Sequence, residues 1–214
     1  MKKIRVLITS LVTALSLGTA CAGVEEDVAG LQREWERISY QAPASDKEKN
    51  LERLVGQADK VVAQNPGKAE ALIWHAIVEA SYAGAKGGLG ALGHVKNAKA
   101  HLESALQINP NALDGSAYTS LGSLYYQVPG WPIGFGDDKK AVEFLKKGLS
   151  INPDGIDPNY FYGDFLFRSG DYAAAEQALR KALQAPARAG RKVADDGRRR
   201  EVQALLDKIA DKRK

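Results

Sequence analysis

The dipeptide Asn-Pro recurs along this chain of 214 residues, each time after an amphipathic apolar stretch, and it constrains the fold more than any other feature. It closes Val61-Val62-Ala63-Gln64-Asn65-Pro66, then Ala105-Leu106-Gln107-Ile108-Asn109-Pro110, then Gly148-Leu149-Ser150-Ile151-Asn152-Pro153. Ala182-Leu183-Gln184-Ala185-Pro186 ends the series. Proline donates no backbone N–H and disfavours helix in the residue before it, so each phrase stops a helix. Stops at 44 and 43 residues between Pro66, Pro110 and Pro153 imply stacked helical units. Valine and isoleucine form no alternating runs, and with 44% hydrophobic residues the chain can bury one sizeable core. The fold class is all-α.

The first residues read as a targeting segment: a basic Met1-Lys2-Lys3-Ile4-Arg5, an apolar run from Val6 to Leu17, and small residues from Gly18 to Gly23. The apolar run is too short for a stable bilayer span. Two processing readings stay open. Ala20-Cys21-Ala22 fits cleavage after Ala22, giving a signal peptide of residues 1–22. Leu17-Gly18-Thr19-Ala20-Cys21 is a loose lipoprotein box that would make Cys21, the only cysteine, a lipidated N-terminus. The expectation is export to the periplasm, as a free protein or tethered to a membrane by that lipid alone. Loss of Lys2, Lys3 and Arg5 lowers the formal charge from +4 to +1. Residues 186–214 carry ten Lys/Arg against five Asp/Glu, leaving residues 23–185 acidic; nucleic acid is not an expected partner.

Residues 23–196 read as the repeat domain, and 197–214 as a capping helix with a basic tail. Helices are expected at Glu25 to Tyr40, from Ser45 or Asp46 as a cap to Gln64, and at Ala69 to Tyr82. Tyr118, Leu121, Gly122 and Tyr125 lie at i, i+3, i+4 and i+7, one helical stripe. Ala98, Leu102 and Ala105, then Ala141, Leu145 and Gly148, supply partner helices. Tyr162-Gly163, Gly170, Tyr172, Ala175, Leu179 and Ala182 repeat the small–large pattern most cleanly. On residues 50–186 this pattern resembles the tetratricopeptide repeat (TPR) family. The resemblance implies a right-handed α-solenoid of helix pairs, and two repeats exceed the family unit. The extra residues, Ala83 to Lys96 and Gln127 to Asp138, are expected as two long inter-helix loop insertions. Leu72 and Asn159 stand where the family has a large aromatic. Val202, Leu205, Leu206 and Ile209 would form the inner face of the capping helix.

Val128-Pro129-Gly130-Trp131-Pro132-Ile133-Gly134-Phe135-Gly136-Asp137-Asp138, with Asn152-Pro153-Asp154-Gly155-Ile156-Asp157-Pro158-Asn159-Tyr160-Phe161-Tyr162-Gly163, resembles exported bacterial TPR proteins of the TRAP-transporter T-component type. That resemblance implies a periplasmic substrate-binding protein as partner.

Gly88-Leu89-Gly90-Ala91-Leu92-Gly93 spells GxGxxG, but a helix precedes it where a dinucleotide site needs a strand, so it reads as a turn. His94 and His101 are two helical turns apart, about 10.5 Å of rise, too far for one metal. His75 is the third histidine, and no metal or cofactor is expected. Asp137-Asp138 read as a helix cap, as does Asp157 before Pro158. No Ser-His-Asp or Cys-His arrangement is present, so an enzyme is not expected. Trp131 and Phe135 either plug the fold or present an aromatic surface.

The TPR resemblance places Ser123, Tyr126 and Gln127 of one repeat, and Tyr160, Asp164, Phe167 and Arg168 of the next, on the concave groove. With Trp131 and Phe135 they form the candidate partner-binding set. The expected function is an exported protein-binding and assembly module. The alternative is a carrier of a small apolar or amphipathic ligand, enclosed beneath Trp131 and Phe135. Replacing Cys21 with Ser separates the processing routes: loss of acyl labelling and membrane association marks a lipid anchor, and unchanged processing marks cleavage after Ala22.

Overall fold

A computed structural model describes residues 17–213, with side chains from Gly23 onward. Residues 1–16 of the expected targeting segment and the Cys21 side chain therefore lie outside the described residues, while residues 17–22 already belong to the first helix, which was expected only from Glu25. Nine α-helices and no strand occur among those described: α1 (Leu17–Tyr40), α2 (Lys47–Gln64), α3 (Ala69–Lys86), α4 (Leu92–Ile108), α5 (Ala112–Gln127), α6 (Asp138–Ile151), α7 (Ile156–Arg168), α8 (Tyr172–Leu183) and α9 (Lys192–Lys212). They pair as α1/α2, α3/α4, α5/α6 and α7/α8, with α9 following.

The Asn-Pro phrases do stop helices. Asn65, Asn109 and Asn152 leave helical geometry, while their N–H groups still donate to Val61, Ala105 and Gly148 at 3.0, 2.8 and 2.9 Å. Proline follows each and cannot continue the ladder. Within pairs, glycine sets the distance of approach. A Cβ on Gly122 would lie 2.6 Å from Leu145 Cγ, and one on Gly163 2.8 Å from Leu179 Cγ. Ala98, Ala105, Ala141, Ala175 and Ala182 are fully buried at the corresponding crossings.

Several expectations need correction. The first insertion is not a long loop. The residues Ala83 to Lys86 continue α3, and only Gly87 to Ala91 separate it from α4. Gly87 and Gly88 both take positive φ (64° and 60°), a conformation that glycine adopts without Cβ strain. The second insertion is a true loop, Val128 to Asp137. Asp137 caps α6, accepting from Lys139 and Lys140 N–H at 2.9 and 3.1 Å. Neither Ser45 nor Asp46 caps α2 through its side chain; Ser45 donates to Asp46 instead. Asn159 replaces an aromatic for a local reason: its buried amide donates to the carbonyls of Pro153 and Gly155, tying the turn to α7.

The buried side chains form two clusters, one built on α1, α2 and one side of α3, the other running from the opposite side of α3 to α9; Ile77 and Leu113 touch both. Leu113, Asp114 and Gly115, at the start of α5, all adopt left-handed dihedrals. For non-glycine residues this costs roughly 1–2 kcal/mol each, offset here by seating Leu113 between the clusters.

The inner helices α1, α3, α5 and α7 pack side by side, and α9 packs against both α7 and α1. The inner layer thus closes on itself. α9 starts at Lys192 and not at residue 197; of its expected inner face Val202, Leu205 and Ile209 are buried and Leu206 half-buried. Its N-terminal half does something else. Gly197 sits against the Tyr40 ring of α1 so closely that a Cβ would overlap it. Arg191 bonds Glu36 of α1 and lies 5.1 Å over the Trp74 ring of α3. Gly197→Leu is expected to force α9 from α1 at about 1–3 kcal/mol, lowering Tm by roughly 2–4 °C per kcal/mol in a differential-scanning measurement.

Candidate functional site

Four of the nine proposed binding residues meet at one place on the rim between α5 and α7. Tyr126 OH donates to Asp164 Oδ2 at 2.8 Å, and Arg168 Nε donates to the same oxygen at 3.0 Å. The Arg168 guanidinium lies 5.3 Å over the Tyr126 ring, and Gln127 Nε2 donates to Tyr126 OH at 3.2 Å. Phe165 packs edge-on against Tyr126 from below. Burial, together with the Asp164 carboxylate, pushes the Tyr126 phenol well up, so it remains a donor at any ordinary pH. Asp164 is buried, whereas Gln127 and Arg168 are exposed: the quartet is fixed on its inner side and open on its outer side.

The remaining predicted residues lie elsewhere. Ser123 is half-buried, with its hydroxyl donating to Ser120 O. Phe167 leans on Tyr172, 5.6 Å between ring centres. Tyr160 is covered rather than offered: Arg198 of α9 lies 4.3 Å over its ring and 4.8 Å over that of Phe161. The two aromatics of the α5–α6 loop divide the roles between them. Phe135 turns inward against Tyr125, at 5.5 Å, under the Lys99 ammonium. Trp131 is 90% exposed. Two shallow depressions of the described surface lie apart from this loop, at the α1–α9 seam and beside Tyr118 and Phe144.

Sequence reasoning missed an ionic network that holds α9 in place. Asp157 is no helix cap: Gly155 occupies that position, and the Asp157 carboxylate receives Arg188 and Arg198, each at 2.8 Å. Arg188 also bonds buried Asp195, and Arg198 bonds Glu201 at 2.6 Å. Burial works to raise the Asp157 carboxyl, but the charges of Arg198 and Arg188 outweigh it and hold it at about 2. The signal that could have revealed this network was charge asymmetry. The basic C-terminal segment finds its acids in the acidic body: Arg191 with Glu36, Arg188 and Arg198 with Asp157, and Arg213 with Glu176.

The histidines also meet in an unforeseen way. His75 Nε2 bonds Asp59 at 2.7 Å, its Nδ1 faces His101 Nδ1 at 2.7 Å, and His94 bonds Glu79. Burial and then the neighbouring His75 lower the His101 pKa. Among the described residues no group of three or more His, Cys, Asp or Glu side chains is arranged to hold a metal.

The architecture defines a helical-repeat scaffold with a preformed polar rim. Residues 133–209 match the family described as tetratricopeptide repeat. The chain is similar in fold to a thermophilic TPR protein of Thermus thermophilus, with TM-score 0.55 and 20% identity, over 83% of this chain and 80% of that one. A second solved structure, the pilF protein of Pseudomonas aeruginosa, aligns at TM-score 0.39 and 16% identity over 88% and 89% of the two chains. No curated protein matches.

Asp157→Asn tests the network. The folded carboxyl stands at about 2 against an unfolded value near 3.9, so its contribution is full above pH ~4 and fades as pH falls towards 2. The substitution is expected to cost roughly 2 kcal/mol at pH 7 in denaturant titrations, and much less at pH ~2.5.

Proposed function

We propose that this chain is an exported docking module that binds a protein partner through the rim of α5 and α7 and makes or breaks no bond itself. The observation that carries the reading is the quartet of Tyr126, Gln127, Asp164 and Arg168, locked by its own hydrogen bonds while Gln127 and Arg168 face outward. A surface already held in one conformation loses little side-chain freedom on binding. The guanidinium keeps unused donors for an acceptor on the partner, because Nε alone is committed to Asp164 in a hydrogen bond. TPR arrays commonly serve such docking, and the match over residues 133–209 includes α7. The T-component resemblance of the segments around Trp131 and Tyr160 supports a TRAP-type periplasmic substrate-binding protein as the partner.

The test is titration calorimetry of the full chain with that binding protein. The pair Gln127→Ala and Arg168→Ala should weaken association about tenfold or more, roughly 1.4 kcal/mol, with Tm little changed. Absence of a complex, or unchanged affinity in the double variant, would overturn this reading.

A further inference from the structure

Three of the four exposed large hydrophobics among the described residues sit on one edge of the array. Leu89 (77% exposed) tips the α3–α4 turn, and Trp131 (90%) and Ile133 (53%) tip the α5–α6 loop. The shared edge follows from topology. Neighbouring inner helices α3 and α5 run parallel, each followed by an antiparallel outer helix, so their outgoing turns emerge on the same side. Lys99 of α4, stacked on Phe135, confirms that the loop lies beside α4. The fourth, Ile108, is at the opposite edge, next to Asn109.

The tips are held, not loose. Gly134 N–H donates to Gly130 O at 3.1 Å and Gly136 N–H to Pro129 O at 3.0 Å, while Phe135 anchors the loop beneath. Lysines stand behind the tips: Lys86 at the end of α3, Lys96 near the start of α4, and Lys139 with Lys140 at the start of α6, all exposed. Asp137 beside them is engaged as a helix cap and Asp138 is not, while Lys86 donates to Tyr82 OH, which in turn donates to Glu52.

We infer that this edge docks onto an anionic phospholipid surface, with Trp131, Ile133 and Leu89 entering the interface and the lysines meeting the headgroups. Tryptophan is suited to the boundary between water and acyl chains, because its ring is apolar while its N–H requires a polar neighbour. Basic residues near an acidic leaflet are attracted at short range and lose that attraction in salt. Shape decides between a bilayer and a protein. The apolar tips stand exposed on two separate glycine-flanked turns, Leu89 on one and Trp131 with Ile133 on the other. Separated tips suit a yielding medium better than a single complementary protein patch. This contact is additional to any lipid carried at Cys21 and independent of the rim of α5 and α7.

The experiment uses the full chain with vesicles of phosphatidylcholine alone, or mixed with phosphatidylglycerol, each with brominated acyl chains. Bromine quenches tryptophan by proximity, so the signal reports where Trp131 sits however the N-terminal segment contributes to attachment. The expected result is quenching on the anionic vesicles that Trp131→Phe removes, since Trp74 is buried and the half-buried Trp35 packs against Tyr40 and Trp74 in the first helix pair, away from this edge. Paired Lys139→Glu and Lys140→Glu should reduce partitioning at least fivefold per lysine, and Leu89→Ser should reduce it further. Unquenched emission on both compositions would overturn the inference, as would quenching that persists in Trp131→Phe. Loss of the substrate-binding protein in Trp131→Ser, with vesicle quenching absent in the parent chain, would assign the edge to a protein instead. Failure of the rim variants to affect that protein leaves this quenching readout untouched, so the two proposals fail separately.

Discussion

Helix pairs stack only where their axes come close, and here that distance is set by glycine and alanine at the crossings. Gly122 against Leu145 and Gly163 against Leu179 leave no room for even one carbon more. The large residues then fill the spaces that these small ones create, which is why Leu121, Leu145 and Leu179 are almost fully buried. Everything else depends on that spacing, including the placement of Tyr126 within hydrogen-bond reach of an aspartate 38 residues later.

The second constraint is electrostatic and acts over longer range. Arg188 and Arg198 share one carboxylate, Asp157, and a third arginine, Arg191, crosses to Glu36 on the first helix. Two cations on one anion leave net charge in a partly desolvated place, which Asp195 and Glu201 offset. The outcome is that α9 lies over the inner face of α1 and α7. That face is largely spent on internal packing, while Gln127 and Arg168 at the rim and Leu89, Trp131 and Ile133 at the turn tips stay exposed.

Some helix ends were legible from a local rule, though the caps sought at Ser45 or Asp46 and at Asp157 were not made. The Asn-Pro stops, the Asp137 cap and the glycine turn at Gly88 each depend on a few adjacent residues. The extent of α3 was misjudged because the helix runs on through Gly84, a poor helix former, with Ala83, Ala85 and Lys86 favouring helix around it, until Gly87 takes a positive φ. Asp157 was misread for the opposite reason. Its position before Pro158 suits a cap, but two arginines 31 and 41 residues away reclaim it. The meeting of His75 and His101 across 26 residues left no mark in the sequence either. Of the expected binding set, Tyr126, Gln127, Asp164 and Arg168 meet in the structure, whereas Tyr160 lies under Arg198 of α9, a contact across 38 residues that no local pattern marks.

A repeat array with two free ends can lengthen by duplication, one pair at a time, because each unit meets only its neighbours. Contact between α9 and α1 removes that freedom. One added pair would carry Tyr40 away from Gly197, and one deleted pair would drive them into each other. The number of units is therefore fixed by closure, as it is in a ring, and descendants of this chain can vary at their turn tips far more readily than in their count of repeats.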